Sequence, residues 1–227
     1  MKEWGNIEGS VEYVKCKSIP RDSKLLDIGC NTGSTIFSLH QYGFTNVYGV
    51  DVEKNKINHG RKIYAEISDR LAYYDGTKLP FEDNSFDVVT MFDVIEHITN
   101  IDRFIREEVR RVLTGRGILL FQTPNKYTNI PWEILHHKSL HKYKEYHVSL
   151  QSYRSLMSLL ENSGFDEIVV EKRNVYTPYY LRELAKYLGP LAHPTLFIAN
   201  KLPTSCTTNF WGYCRAKTDR SYEDVLS

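Results

Sequence analysis

The sequence predicts an α/β fold in which a mostly parallel sheet of seven strands carries helices on both faces. Apolar runs of strand length alternate along the chain with amphipathic runs of helical length, and this alternation is typical of βα units. The first apolar run ends in a turn that contains Gly29 and Gly33, and the second ends on Asp51. A chain of 227 residues fits a single domain of this class. We therefore expect one domain over residues 1–227.

Each element is placed by its own apolar pattern. Strands are expected at Lys24–Ile28, Asn46–Val50, Leu71–Tyr74, Phe86–Met91, Gly117–Gln122, Phe165–Glu171 and Asn209–Ala216. Helices are expected at Ile7–Lys17, Thr32–Tyr42, Lys54–Ile67, Ile101–Leu113 and Leu150–Ser163. Segments 126–148 and 174–208 do not fit the alternation, and both leave the sheet at its carboxyl edge, where open α/β sheets bind ligands. We interpret them as a ligand pocket and its lid.

Composition limits the classes of partner. The hydrophobic content of 41% is sufficient for a full core, and a net charge of +1 gives no bulk attraction to nucleic acid or to anionic membranes. No apolar run is long enough to span a bilayer. The four cysteines contain no Cys-x-x-Cys pair, which argues against a zinc or disulfide framework. Cys30 lies within the glycine turn and suits a reducing compartment, so we expect a cytoplasmic protein.

The glycine turn and Asp51 together point to a nucleoside. Glycine lets the backbone approach a ligand closely, and the helix that follows offers unpaired N–H groups. A carboxylate at the end of the second strand can accept both hydroxyls of a ribose. A dinucleotide fingerprint would need glycine where Asn31 and Ser34 stand, and no Gly-Lys-Ser/Thr follows the turn. A nucleoside with a smaller, less anionic tail than pyrophosphate fits these residues best.

Three motifs carry a family resemblance: LDIGCNTG at residues 26–33, Asp51, and LPFEDNSFDVV at residues 79–89. Over roughly residues 20–172 the chain resembles the class I S-adenosylmethionine-dependent methyltransferases, and within them the ubiquinone-biosynthesis O-methyltransferases. The resemblance implies a Rossmann-like fold whose last strand is antiparallel. It also implies S-adenosylmethionine as cofactor, a cofactor-binding half at 20–125, and acceptor-pocket and lid segments at 126–148 and 174–208. One departure is Asn31, where the family most often has glycine; asparagine tolerates a left-handed backbone well.

The resemblance assigns the cofactor site residue by residue. It comprises Asp27, Gly29, Asn31, Gly33, Asp51, Val52, Asp75, Gly76 and Phe92. In this assignment Asp27 holds the ammonium side of the methionyl end and Asp51 holds the ribose. The carboxylate of Asp75 accepts from the adenine amino group. Purely structural roles remain open for Asp27 as a turn cap, for Asp75 in a surface Asp-Gly turn, and for Phe92 as a core side chain.

Two groups of residues compete for the catalytic role. An oxygen nucleophile needs a base or a metal to take its proton, and histidine has a suitable pKa. Asp93, Glu96 and His97 have the spacing of one helical face, where related enzymes in some cases bind a divalent ion; a capping box is the alternative interpretation. The second group comprises His136, His137, His141 and His147. We expect His147 and His97 to be catalytic, and we do not favour a metal.

The acceptor is the least determined part of the function. DNA amino-methyltransferases carry an Asn/Asp-Pro-Pro-aromatic tetrad and cytosine-C5 enzymes a Pro-Cys, and the sequence contains neither. The short stretch Lys138–Lys144 is the one candidate for RNA contact. We therefore expect transfer to a hydroxyl, or less readily an amine, of a small molecule. An RNA-end methyltransferase and a non-catalytic subunit that binds S-adenosylmethionine are the alternatives, and no pattern indicates an oligomeric state.

Overall fold

The computed structural model describes residues 6–173 and 178–218, with the backbone alone at Pro178 and Tyr179. One sheet of seven strands forms the centre, in the order β3-β2-β1-β4-β5-β7-β6. The strands are β1 Lys24–Ile28, β2 Asn46–Asp51, β3 Leu71–Tyr73, β4 Phe86–Phe92, β5 Leu113–Pro124, β6 Phe165–Glu171 and β7 Asn209–Ala216. The last strand is antiparallel to both of its neighbours, and the other pairs are parallel. The predicted fold class is confirmed.

Helices connect these strands along the whole chain. They are α1 Ile7–Lys15, α2 Ser34–Gln41, α3 Lys54–Ile63, α4 Ile101–Phe104, α5 Arg110–Val112, α6 Lys126–His137, α7 Tyr143–Tyr146, α8 Tyr153–Asn162, α9 Pro178–Leu188 and α10 Ala192–Ala199. A π-helical turn, Ile105–Val109, joins α4 to α5. Capping side chains define the N-termini of α1 and α8. At α1 the side chain of Asn6 accepts from the N–H of Gly9, and at α8 Ser152 and Ser155 form a capping box.

The core has two layers because successive strand residues point to opposite faces. On one face, α1, α2 and α3 pack over a buried cluster that includes Leu25, Val47 and Leu120. On the other face, α8 and the α4–α5 stretch pack over a cluster that includes Leu26 and Phe121. Burial on both faces explains why the strands are apolar in nearly every position.

The order of the strands reverses direction between β1 and β4. The chain moves outward from β1 to β2 and β3, then returns to place β4 on the other side of β1. The connections after β1 and β4 therefore leave in opposite directions and open a crevice at the carboxyl edge. The Gly29–Gly33 turn and the residues after Phe92 both lie at this edge.

Some predicted boundaries were wrong. Segments 126–148 and 174–208, for which no helix was predicted, contain α6, α7, α9 and α10, and their role as acceptor pocket and lid stays a prediction. Pro131 lies inside α6, whose side chains are all at least partly exposed, so neither composition nor burial indicates a helix there. Strand β5 also starts earlier than expected, with a register shift against the beginning of β4. Tyr176, part of the predicted lid, lies outside the described residues.

Candidate functional site

The turn after β1 depends on left-handed backbone conformations. Gly29 and Gly33 have φ values of 77° and 88°, and Asn31 between them has 56°. A Cβ atom on Gly29 would lie 2.4 Å from Cγ2 of Val94, and one on Gly33 would lie 2.7 Å from Cδ2 of Leu71. Both glycines are therefore required by the fold itself. Asn31 adopts the left-handed conformation, which asparagine tolerates better than most residues.

Asp51 ties the end of β2 to this turn. One carboxylate oxygen accepts the N–H of Asn31 at 2.8 Å, and the other accepts the N–H of Glu53 at 2.8 Å. The side chain is buried, with 7% of its surface exposed. Because a carboxylate oxygen has two lone pairs, each oxygen retains acceptor capacity for a ligand hydroxyl. The residue can therefore hold the loop and bind a ribose at the same time.

A recess opens between this turn, the end of β4 and helix α1. Its lining comprises Asn6, Ile7, Ser10, Asp27, Gly29, Cys30, Asn31, Ser34, Thr35, Phe92 and Asp93. The ring of Phe92 contacts Tyr13 and Trp211, with centroids 6.2 and 5.7 Å apart. Met91, its neighbour in β4, is fully buried in the core. Phe92 therefore faces the recess, whereas Met91 does not line it.

The carboxyl group of Asp27 lies at the base of the recess without a basic partner among the described residues. The hydroxyl of Thr90 donates to its Oδ1 at 2.6 Å. Burial raises the pKa of Asp27 to about 7, the hydrogen bond from Thr90 opposes that shift, and the charge of Asp51 adds to it. A cationic ligand group in the recess would favour the ionised carboxylate.

Asp75 and Gly76 lie beside Val52, where β2 and β3 end together. Oδ1 of Asp75 accepts from the N–H and the hydroxyl of Thr77, at 2.9 and 2.6 Å. These bonds, the hydroxyl first, lower the pKa of the exposed Asp75. A Cβ atom on Gly76 would lie 3.4 Å from Cγ1 of Val52. Asp75 thus stabilises a surface turn, which is the structural role that the sequence left open for it. Binding of an adenine by Asp75 and Gly76 stays a prediction.

Beyond the recess, Glu96, His97 and His147 come together. The residues Phe92 and Asp93 lead directly from the recess into a 3₁₀ turn, Ile95–His97. The rings of His97 and His147 have centroids 5.1 Å apart, and Nε2 of His97 lies 3.8 Å from Oε1 of Glu96. The two groups of candidate catalytic residues therefore meet in the structure. His97 comes from the first group and His147 from the second, and both were predicted to be catalytic.

Hydrogen bonds at Nδ1 set the tautomer of both imidazoles. Nδ1 of His97 donates to the carbonyl oxygen of Tyr146 at 2.6 Å, because a carbonyl can only accept. Nδ1 of His147 donates to Oδ1 of Asn129 at 3.2 Å. In each neutral ring Nε2 is then the unprotonated nitrogen. Both histidines can therefore take a proton at Nε2.

Burial dominates the electrostatics of this group. Glu96 is 1% exposed, and the hydroxyl of Thr123 donates to its Oε2 at 2.8 Å. Burial, and then the charge of Asp93, raises the pKa of Glu96 to about 8. Burial also raises the pKa of Asp93, against opposing effects of Gln122 and His97. Burial and the charge of His97 lower the pKa of His147, which keeps that ring in its base form at neutral pH.

The expected helical face of Asp93, Glu96 and His97 does not form. Asp93 has a φ of 54° and lies outside the 3₁₀ turn, which begins after Val94 and has no side-chain cap. The capping-box interpretation is therefore wrong as well. Among the other histidines, His136 contacts the hydroxyl of Tyr187, His137 pairs with Glu133 and His141 is exposed.

Sequence reasoning missed the residues that support this site. Thr90 and Thr123 orient the two buried acids, and Asn129 and Tyr146 orient the two histidines. The signal for the threonines was present, because each is a polar residue within an otherwise apolar strand. No comparable signal marks Asn129 or the carbonyl group of Tyr146.

The same three residues can be tested as a metal site. Glu96, His97 and His147 each offer one ligand atom, and these atoms lie within 4.8 Å of one another. One carboxylate and two imidazoles form a donor set that fits a divalent cation. Asp93, the first residue of the metal motif considered in the sequence, is not part of this group. Catalysis without a metal stays a prediction.

The amino-acid sequence is similar to those of known methyltransferases. Residues 26–121 match a family model described as a methyltransferase domain. A probable S-adenosylmethionine-dependent methyltransferase of Mycobacterium tuberculosis is 32% identical over 64% of this chain and 50% of that protein. Phosphoethanolamine N-methyltransferase 1 of Triticum aestivum is 26% identical over 82% of this chain. This chain spans 36% of the wheat protein's length and half of the mycobacterial one.

Among solved structures, the [4+2]-cyclase SpnF has a TM-score of 0.67, with 19% identity over 93% of this chain and 81% of that chain. At this identity the likeness concerns the fold alone, and the match to the family model concerns residues 26–121. S-adenosylmethionine is the cofactor of the matched family. The match of residues 26–121 to the methyltransferase-domain model and the similarity to the mycobacterial protein support a class I S-adenosylmethionine-dependent methyltransferase.

Proposed function

We propose that this protein transfers the methyl group of S-adenosylmethionine to a hydroxyl group of a small-molecule acceptor. The observation that carries the proposal is the position of two imidazole bases immediately beyond the recess. Phe92 and Asp93 line the recess, and the turn that holds His97 follows them directly. His147 completes the pair with ring centroids 5.1 Å apart.

The cofactor is proposed to lie along the carboxyl edge of β1, β2 and β4. Its ribose would bind Asp51, its adenine would lie between Val52 and the Asp75–Gly76 turn, and its ammonium group would reach Asp27. The pKa of about 7 for Asp27 supports this arrangement, because a buried carboxyl group without a cation is an unfavourable charge. Phe92 would then flank the methionyl chain.

The chemical step is an in-line displacement. The acceptor oxygen attacks the methyl carbon, the carbon–sulfur bond breaks, and its electron pair returns to the sulfonium sulfur. The hydroxyl proton passes to Nε2 of His147, or to that of His97. Most of the acceleration would come from alignment of the two reactants in a site that excludes water, with the base adding roughly two to four orders of magnitude.

An amine acceptor is the second candidate, and a separate observation favours it. Asp27, Asp93 and Glu96 are acids whose pKa values burial raises. An alkylammonium ion would stabilise such carboxylates until one histidine removed its proton. The wheat relative is named as an N-methyltransferase that acts on phosphoethanolamine. The hydroxyl remains the primary proposal because an oxygen nucleophile must lose its proton as it attacks, and two imidazoles whose Nε2 can accept a proton lie just beyond the recess.

The remaining parts of the proposal concern partners and location. We propose that DNA is not a substrate and that RNA is not the preferred one. All four cysteines are free thiols, which supports a cytoplasmic location. No helix among the described residues is long and apolar enough to cross a membrane. Because the [4+2]-cyclase SpnF has a similar fold, methyl transfer by this protein has to be tested directly.

Two experiments test the function. Calorimetry should detect binding of S-adenosylhomocysteine and none of NAD; NAD binding without S-adenosylhomocysteine binding would overturn the proposal. Purified protein is then incubated with methyl-labelled S-adenosylmethionine and a metabolite extract, with Asp51→Ala as control. Label in a small O-methylated product supports the hydroxyl, label in an N-methylated product supports the amine, and label in nuclease-sensitive material supports RNA. Cofactor binding with no labelled product would indicate the non-catalytic subunit.

A further inference from the structure

Helix α10 is apolar on its outer as well as its inner side. Ala192 and Leu196, one turn apart, are buried against the rest of the protein. Leu191, Phe197 and Ile198 are exposed, with 64%, 55% and 60% of their surfaces accessible. A helix that is hydrophobic all round is normally covered on every side. Half of this helix lacks such a cover among the described residues.

The exposed side chains form one continuous face. Leu191 and Ile198 have the i, i+7 relationship and lie on the same side of α10. Leu202 follows one turn later, in a helical turn closed by its N–H bond to the carbonyl of Ala199, and it is 40% exposed. Phe197 widens this face on one flank.

A second apolar and basic segment lies next to it. The ring of Tyr187, near the end of α9, packs on Trp132 and its hydroxyl contacts His136, both of α6. The end of α6 and the residues beyond it expose Leu135 and Leu140, with 52% and 66% of their surfaces accessible. We call these residues, together with Leu191, Phe197, Ile198 and Leu202, the apolar face.

The two segments that carry the apolar face contain only basic charged residues, and Glu133, Glu145 and Glu183 stand at their ends. Residues 134–144 and 184–218 contain no aspartate or glutamate. Lys138, Lys142 and Lys144 lie in the first range and Lys201 in the second, and Nζ of Lys201 lies 4.4 Å from the ring centroid of Phe197. Exposed apolar side chains with a rim of lysines are the features of a surface that lies in the interface of an anionic membrane.

A second copy of the chain is a poorer occupant for this face. A two-fold interface sets the same patch against itself, so the lysine rims would face each other without an acidic residue from these ranges between them. A bilayer supplies acyl chains for the leucines and anionic headgroups for the lysines. The net charge of +1 for the whole chain means that attraction would be local.

We propose that the apolar face binds the surface of an anionic lipid bilayer, with the protein lying on the membrane rather than spanning it. The inference does not depend on the proposed reaction. It assigns a role to α9 and α10, which lie along the chain between the paired strands β6 and β7.

Sedimentation with lipid vesicles tests this proposal. The probe is phosphatidylcholine vesicles with and without phosphatidylserine. The protein should sediment with the mixed vesicles, and higher salt should weaken that binding. The double variant Phe197→Ser/Ile198→Ser should lower the partition coefficient at least tenfold or so, and Lys201→Glu should lower it about fivefold. Ile63→Ser changes an equally exposed aliphatic residue on α3 and should have no effect.

The competing outcomes are distinct. Failure to sediment with the mixed vesicles, while circular dichroism shows a folded protein, would overturn the proposal. An equal loss for Ile63→Ser would also overturn it, because the binding would then be non-specific. Light scattering separates the remaining case: a dimer that Phe197→Ser/Ile198→Ser converts to monomer would assign the face to a second copy.

Discussion

The imidazole of His97 lies against the imidazole of His147, with ring centroids 5.1 Å apart. The first ring follows β4 and the second follows α7, so distant parts of the chain meet here. Hydrogen bonds hold the two segments together, because the N–H of Ser149 donates to the carbonyl of Glu96 at 2.9 Å and Nδ1 of His97 donates to the carbonyl of Tyr146. A charge on one ring disfavours a charge on the other. Burial, and then the charge of His97, lowers the pKa of His147, which favours the base form of that ring.

The first prediction concerns these bases. His147→Ala should lower turnover by roughly two to four orders of magnitude, because the acceptor hydroxyl loses its proton acceptor. Affinity for S-adenosylhomocysteine, measured by calorimetry, should barely change. His141→Ala removes an exposed histidine six positions away in the same segment and should leave turnover intact. Wild-type turnover in His147→Ala would return this residue to a structural role.

The second prediction concerns Asp51. Asp51→Ala should weaken cofactor binding by about 1.5–3 kcal/mol for each ribose hydrogen bond to the carboxylate that is lost. Asp87→Ala is the matched control, because Asp87 also accepts a backbone N–H, from Lys24 at 2.9 Å, but at the opposite edge of the sheet. Calorimetry with S-adenosylhomocysteine measures both variants. Unchanged affinity in a folded Asp51→Ala protein would contradict the proposed cofactor position.

The third prediction concerns the metal. Chelation should leave methyl transfer unchanged if the histidines act as bases, and Glu96→Gln should reduce turnover only modestly, because glutamine keeps an acceptor for Thr123. Activity is measured after treatment with a chelator and after addition of manganese or magnesium. Loss on chelation, with recovery on adding the metal, would instead assign Glu96, His97 and His147 as ligands.

The cofactor half of the fold could be predicted because local chemistry determines it. The Gly29–Gly33 turn needs positive φ angles, and the buried strands need apolar residues on both faces, so the sequence carries both signals. The antiparallel direction of the last strand followed from the family resemblance. The fold class and the family were confirmed, whereas the ligand roles of the individual residues stay predictions.

The catalytic side could be predicted only in part, because it depends on contacts between distant segments. His97 and His147 were identified separately, but no sequence spacing places them together. Helix α6 was missed because Pro131 and its exposed side chains weaken the helical signal, and α10 was missed because an all-round apolar helix has no periodicity. Tertiary packing decides these elements, and a single sequence does not show it.

The last prediction concerns the pH dependence of cofactor binding through Asp27. Below about pH 7 the carboxyl group is protonated in the free protein, because burial raises its pKa to about 7. The ammonium group of the cofactor favours the ionised form, so binding must release a proton. Affinity for S-adenosylhomocysteine should therefore fall as pH decreases below about 7, by up to about tenfold per pH unit.

Two variants isolate the contribution of Asp27 from those of the other buried acids. Asp27→Asn cannot ionise, so it should bind the cofactor weakly and lose this slope. Thr90→Val removes the hydrogen bond that favours the charged carboxylate, so the pKa of Asp27 should rise and the loss of affinity should begin at higher pH.

The pH dependence of stability through Asp27 has the opposite sign to that of cofactor binding. The folded protein keeps a proton on Asp27 that the unfolded chain releases near pH 4. The free energy of unfolding of the unliganded wild type should therefore fall as the pH rises from about 4 to about 7, and it should fall less in Asp27→Asn. Calorimetric titrations and denaturant unfolding across this range measure both effects. A slope in Asp27→Asn equal to that of the wild type would show that another acid, and not Asp27, meets the ammonium group.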